Sequence, residues 1–276
     1  MSRILIAGCG YVGSAVADLF HQTGWEVEGW TASRESSGPY KIRVVDLADV
    51  DAVKRAASDF DVVIQCASSR GGDVDDYQRI YLEGARSLTS VFPQTLLVFT
   101  SSTSVYAQSD GEWVTEESAA EPQRETGRIL REVEELVLAR GGIAARLAGI
   151  YGPKRSALLQ KFLDSEVIIE RGRDRFINQV HRDDIATALQ LLVQTKSRGV
   201  FNISDNHPIL LRECYEWLAA HLKRPLPPPA DSPIKRKRGN TNKRVSSEKL
   251  QALGWAPRYP TFQAAMTASV LPSFGL

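Results

Sequence analysis

Short apolar runs alternate with longer stretches of helical period through the first half of the chain. RILIA (3–7) precedes a helical pattern over 12–23, and EVEGW (26–30) and IRVV (42–45) precede one over 49–58. DVVIQCA (61–67) precedes 74–91, LLVFTS (96–101) precedes 126–140, and GIAARLA (142–148) closes the series. Runs this short, apolar on both faces and separated by amphipathic segments, read as buried parallel strands under covering helices. The rhythm predicts an α/β fold built on a doubly wound parallel sheet.

After Gly149 the order loosens. YGPKR reads as a turn, 156–163 as a short helix, 184–195 as an amphipathic helix and GVFNIS (199–204) as another strand. KRPLPPPADSPIKRKRGNTNKR (223–244) is Pro-rich and then basic, a loop by composition, and helical period returns only at 246–253.

Composition narrows the picture. The chain has 276 residues, 43% of them hydrophobic, enough for a large core. Lys plus Arg (34) nearly balance Asp plus Glu (33), so the net charge of +1 gives no global field for nucleic acid or an anionic membrane. Cys9, Cys66 and Cys214 form neither a CxxC pair nor an even framework, which fits a reducing compartment; a cytoplasmic protein is expected, with no metal site. The apolar run in MSRILIAGCG is too short for a signal segment or a membrane span.

The first strand runs directly into Gly8, Gly10 and Gly13 in G-x-G-x-x-G spacing, with the first helix following. In that setting the first glycine allows the tight turn, the second lets backbone approach a pyrophosphate, and the third permits close helix packing. The helix amino end draws the negative charge. Dinucleotide binding through Gly8, Gly10, Tyr11, Val12 and Gly13 is therefore expected. At the end of the second strand Thr31 stands where an NAD site usually has an acid, and Ser33 and Arg34 follow with donors suited to a 2′-phosphate. This favours NADP, with NAD left open by Glu28 and Glu35.

GCGYVGS (8–14), VVDLAD (44–49), FDVVIQCAS (60–68), FTSSTSVY (99–106), RLAGIYGP (146–153), NQVHRDDIATAL (178–189), FNISD (201–205) and KRVSSEKLQALGW (243–255) together resemble the extended and atypical short-chain dehydrogenase/reductases, the NAD-dependent epimerase/dehydratases. The resemblance implies a Rossmann fold with a smaller, intertwined C-terminal substrate lobe. Residues 1–148 plus about 176–204 would form the dinucleotide-binding domain, and about 149–175 plus 205–276 the lobe. It also implies adenine contacts from Asp46 and Leu47, ribose contacts from Cys66, Ala67 and Ser68, and a nicotinamide wall from Leu147 to Ile150. Asp46 also suits a helix N-cap.

The family's chemistry uses a Ser or Thr after the fifth strand, a Tyr acid/base, and a Lys four residues later whose charge lowers the phenol's pKa. Ser102 fills the first position. Thr126 and Leu130 occupy the Tyr and Lys slots, and from Ala107 through Ile150 there is no Tyr and no Lys. Tyr106 and Tyr151 are the candidate replacement proton donors. Arg128 and Arg131 could supply a charge, although pairing with Glu132, Glu134 or Glu135 on a solvated face is the simpler expectation. By resemblance Asn178, His181 and Tyr151 line the substrate side, while Asp183 next to His181 also reads as a helix entrance.

The basic run KRKRGNTNKR (235–244) reads first as a solvated loop, second as a grip on an anionic substrate, and last as a nucleic-acid site. Two functions stay open: an atypical NAD(P)-dependent epimerase, dehydratase or reductase acting on a small-molecule hydroxyl or carbonyl compound, nucleotide sugars included, and a catalytically inactive NAD(P)-binding regulatory module. Relatives dimerise through the helices at 74–91 and 126–140, which leaves a homodimer on that face open. No nucleic-acid or membrane partner is expected.

Overall fold

The structure is a computed structural model describing residues 1–33, 36–37, 39–69, 71–170, 174–227 and 241–276. Arg34 and Lys235 to Asn240 of the basic run lie outside the described residues. Seven parallel strands form the central sheet: β1 (Arg3–Ala7), β2 (Glu26–Thr31), β3 (Lys41–Val44), β4 (Val62–Gln65), β5 (Leu96–Ser102), β6 (Ile143–Leu147) and β7 (Gly199–Ile203). Their order is β7-β6-β5-β4-β1-β2-β3, and Ser36–Ser37 adds a short antiparallel edge to β3. The order reverses between β1 and β4, so a crevice opens there beyond the strands' carboxyl ends.

Helices cover both faces. On one side lie α1 (Tyr11–Gln22) and, after the sixth strand, the helix Arg182–Gln194; on the other lie α2 (Val50–Ala56), α3 (running through Val74–Tyr77, a π-helical turn Gln78–Glu83, and Gly84–Val91) and α4 (Glu125–Leu138). Each face has its own core, with Ile4, Ile6 and Ile64 pointing to one and Leu5, Val63 and Phe99 to the other. That two-sided burial is why the strands read as continuous apolar runs rather than alternating ones. Asp49, not Asp46, caps α2: its side chain accepts from the N–H groups of Asp51 and Ala52.

A third core belongs to the C-terminal part and gathers Tyr151, Leu159, Phe162, Cys214, Leu218, Phe262 and Met266. It is built on two helical segments that periodicity alone does not announce, Leu211–Leu222 and the run from Phe262–Ala265 through Met266–Val270 to Leu271–Phe274. In LRECYEWLAAHL the buried positions are Cys214, Tyr215, Leu218 and Ala219, a narrow stripe holding only one strong aliphatic residue. Among the described residues, no helix is long and apolar enough to cross a membrane.

Candidate functional site

β1 ends at Ala7, and the chain turns at Gly8 with φ +108°, a conformation open mainly to glycine. A Cβ at Gly8 would lie 2.1 Å from the Ala67 backbone N, and one at Gly13 2.2 Å from the Gly8 carbonyl oxygen. The contact at Gly8 seats the turn against neighbouring strands. The N–H groups of Gly8 and Cys9 donate to the Trp30 carbonyl at 2.9 and 2.8 Å, and those of Cys66 and Ala67 to the Ala7 carbonyl at 2.7 and 3.0 Å. At Gly10 the outcome is opposite: an added Cβ would meet nothing within 4 Å. Gly10 is also the N-cap of α1, with no capping side chain and no acidic residue in the first turn. The helix presents an uncompensated positive end to open space, the arrangement that holds a phosphate group.

Tyr11 ties this loop to the C-terminal part. Its hydroxyl donates to the Pro153 carbonyl at 3.0 Å, and the guanidinium groups of Arg155 and Arg182 lie over its ring, 4.9 and 5.0 Å from its centre. Val12 packs on the first core. Around the crevice, Thr31 is half-buried and Ser33 exposed at the end of β2. Asp46 accepts from the Ala48 N–H and pairs with Arg79 of α3 at 2.7 Å, while Leu47 is buried. Burial pushes the half-buried Cys66 thiol up to about 12, which disfavours its thiolate. Ser68 stands near the Tyr81 hydroxyl, at 3.5 Å, and Leu147 sits opposite Ser102 in the sheet register, with Ile150 half-buried beyond it.

Ser102 ends β5 half-buried, its Oγ accepting from the Ser104 N–H at 3.1 Å. The turn Thr103–Val105 packs on the first part of α4, where Thr126 is half-buried and Leu130 is buried in the core. The Lys slot is thus an apolar packing position.

Tyr106 is not presented to a substrate. It is fully buried; its hydroxyl accepts from Arg146 Nη1 at 2.8 Å and faces the Thr115 carbonyl and Asn202 Oδ1 at 2.8 and 2.9 Å. Burial pushes the phenol above its ordinary value, which the Arg146 charge only partly offsets. Arg146 is bound in turn by Glu134, through Nε at 3.0 Å and Nη2 at 2.7 Å, and Ser101 donates to the same carboxylate at 2.6 Å. Glu134, expected on a solvated face, is fully buried and also pairs with Arg131; Arg128 pairs with Glu125 rather than with the three expected glutamates.

The predicted substrate-side residues are engaged in structure. Tyr151 is 1% exposed with an unpartnered hydroxyl, and burial together with Asp205 and Asp184 pushes its phenol far above the ordinary range, so it is a poor proton donor. Asn178 spends both ends of its amide on backbone, donating to the Lys243 carbonyl at 2.8 Å and accepting from the Val245 N–H at 2.7 Å. His181 is fully buried; its Nδ1 caps the helix Arg182–Gln194 at the Asp183 N–H, and its Nε2 meets Ser269 Oγ at 2.9 Å.

Burial pulls the His181 imidazole down from 6.5 to about 4, with Asp183 opposing the shift and Arg182 and Arg258 reinforcing it. Between those values the unfolded chain binds a proton that the folded chain refuses, so stability falls as pH drops through this window. Urea midpoints should therefore fall between pH 7 and pH 5, and the slope should flatten in His181→Asn, which keeps a capping side chain.

A doubly wound sheet with a glycine turn and an open helix amino end at the end of its first strand defines a Rossmann-type protein. The chain belongs to the NAD dependent epimerase/dehydratase family, which its residues 4–204 match. It is 30% identical over 229 residues to Protein YeeZ of Escherichia coli K12, covering 75% of this chain and 80% of that one. A structure from Methylobacillus flagellatus assigned to the NAD-dependent epimerase/dehydratases superimposes over 100% of this chain and 99% of its own, with TM-score 0.82 and 26% identity. MoeE5 in complex with UDP-glucuronic acid and NAD has the same fold, with TM-score 0.81, 20% identity and coverage of 100% and 99%.

Proposed function

We propose that the chain is an NAD(P)-dependent epimerase/dehydratase-like oxidoreductase acting on a small hydroxyl or carbonyl substrate. The observation that carries this reading is the Gly8–Gly13 turn, whose two outer glycines are required by backbone contacts while Gly10 opens onto free space at the helix amino end. In this reading that turn holds the pyrophosphate, with Asp46, Leu47 and Cys66 to Ser68 around the adenosine and Leu147 to Ile150 beside the nicotinamide. The bound dinucleotide supplies hydride transfer. Thr31, Ser33 and Arg34 favour NADP over NAD. Residues 1–148 with about 176–204 serve the cofactor, and about 149–175 with 205–276 serve the substrate.

In this reading Ser102 holds the substrate oxygen, which is supported by its Oγ accepting from the Ser104 N–H and so keeping its own proton to donate. A nucleotide sugar fits this reading because MoeE5 binds one. The second reading, an inactive NAD(P)-binding module, draws on the burial of Leu130 in the Lys slot.

Titration with NADPH and with NADH, followed by the reduced nicotinamide's own fluorescence, should give saturable binding that is tighter for NADPH. Binding followed by turnover of a carbonyl, sugar or nucleotide-sugar panel supports the enzyme. Binding with no turnover supports the module, and no binding of either cofactor removes both.

A further inference from the structure

Lys243 is a buried ammonium that the Glu112 carboxylate influences without forming an ion pair with it. The residue is 7% exposed, and Nζ donates to the Tyr106 carbonyl at 3.0 Å. Among the described residues it makes no ion pair, so one of its three donors is used. Burying an ammonium costs several kcal/mol unless a partner repays it, and a methionine would fill the space at less cost. A buried cation with no ion pair among the described residues and two unused donors suits a counter-ion that arrives with a ligand.

The position is rigid. The Lys243 carbonyl is held by Asn178, and the Asn242 N–H donates to the Gln108 carbonyl at 3.1 Å. The Asn242 carbonyl accepts from Gly111 at 3.0 Å, and the strand Arg244–Val245 pairs with Trp113–Val114. Apart from Asn178, these partners lie on the segment that follows the Ser102 turn, and the carbonyl that accepts from Nζ is that of Tyr106, at the end of that turn. Gln108 carries a second unmet group, a buried Oε1 with no partner. A ligand bearing an anionic oxygen beside a hydroxyl, as a hydroxy acid or a uronate does, offers an acceptor to the first residue and a donor to the second.

Resting on the proposed dinucleotide enzyme, we infer that Lys243 reads a carboxylate on the reacting part of the substrate, with Asn178 as its positioning residue. The charged groups facing Lys243 are Glu112, which favours the ammonium, and Arg175, which opposes it; burial dominates both and pulls the amine down to about 8. A bound carboxylate favours the charged form, so affinity for it should fall as pH rises through that value.

The test uses the full chain with lysine labelled at 13Cε, acetate as the carboxylate probe, and acetamide and inorganic phosphate as comparisons. Lys243→Arg assigns the resonance and Lys243→Met serves as the empty site, each checked for a cooperative thermal transition. A saturable shift of the Lys243 signal with acetate, absent with acetamide, absent in Lys243→Met and weakening about tenfold per pH unit above 8, is the expected result. No saturable shift, an equal response to acetamide, or a response to phosphate that displaces acetate overturns the carboxylate assignment. NADPH binding measured on the same samples separates the two readings: its loss removes the dinucleotide enzyme, whereas the acetate response alone decides Lys243.

Discussion

Glu134→Ala should lower stability by ~3–5 kcal/mol, the cost of leaving a buried charge without its partner. Arg146 is only 2% exposed and, among the described residues, pairs with one carboxylate, that of Glu134, through two nitrogens. Removing Glu134 strands that guanidinium together with the Ser101 hydroxyl, on the adjacent strands β6 and β5. Since Arg146 also fixes Tyr106, whose hydroxyl reaches Thr115 and Asn202, the loss spreads to the loop after β5 and to β7. Urea unfolding should show a large drop in midpoint at an unchanged slope. The double variant Glu134→Leu with Arg146→Met should recover most of the loss, because an apolar pair of similar volume replaces an ion pair at little net cost. Tyr106→Phe belongs to the same network and should cost ~1–3 kcal/mol, a stability effect and not a chemical one.

The network also shows what could be read in the chain and what could not. Strands and helices of the sheet are legible because two-sided burial and a 3.6-residue stripe leave direct marks on neighbouring residues, and the glycine turn is legible because its constraint acts within six positions. Glu134 is not. Within REVEELVLAR it looks like one of several solvated glutamates, and only Arg146, arriving on the next strand, makes it a core residue. Lys243 is further out of reach, since its one acceptor lies 137 positions away. Tyr106 and Tyr151 were natural candidates by chemistry, yet both are buried on packing faces. Of the helices of the third core, Ala157–Leu163 is legible as the short helix at 156–163, whereas Leu211–Leu222 is not, because Cys, Tyr and Ala take buried positions where Leu and Ile would draw a clear stripe.

The glycine turn yields the other large effect, and here two neighbouring substitutions should part company. In Gly8→Ala the new methyl would sit 2.1 Å from the Ala67 N and 2.4 Å from its Cα, at φ +108°. Neither atom can withdraw, because the Ala67 N–H is bonded to the Ala7 carbonyl and the chain before it runs into β4. Strain of ~1–3 kcal/mol from the backbone conformation adds to ~1–3 kcal/mol of overpacking, so this variant should unfold at markedly lower urea. Gly10→Ala meets no atom within 4 Å of the added carbon, but Gly10 is the N-cap of α1 at φ −97° and ψ −144°, where alanine is poorer than glycine, so the variant should lose about 1 kcal/mol, well short of Gly8→Ala. If the pyrophosphate lies against Gly10, that methyl occupies the ligand's place, and NADPH binding should weaken by a factor of ten or more, ~1.4 kcal/mol or above. Thermal unfolding and NADPH fluorescence on the two variants separate the effects. A Gly10→Ala protein that is fully folded and binds NADPH like the parent would exclude this turn as the cofactor site, whatever happens at Gly8.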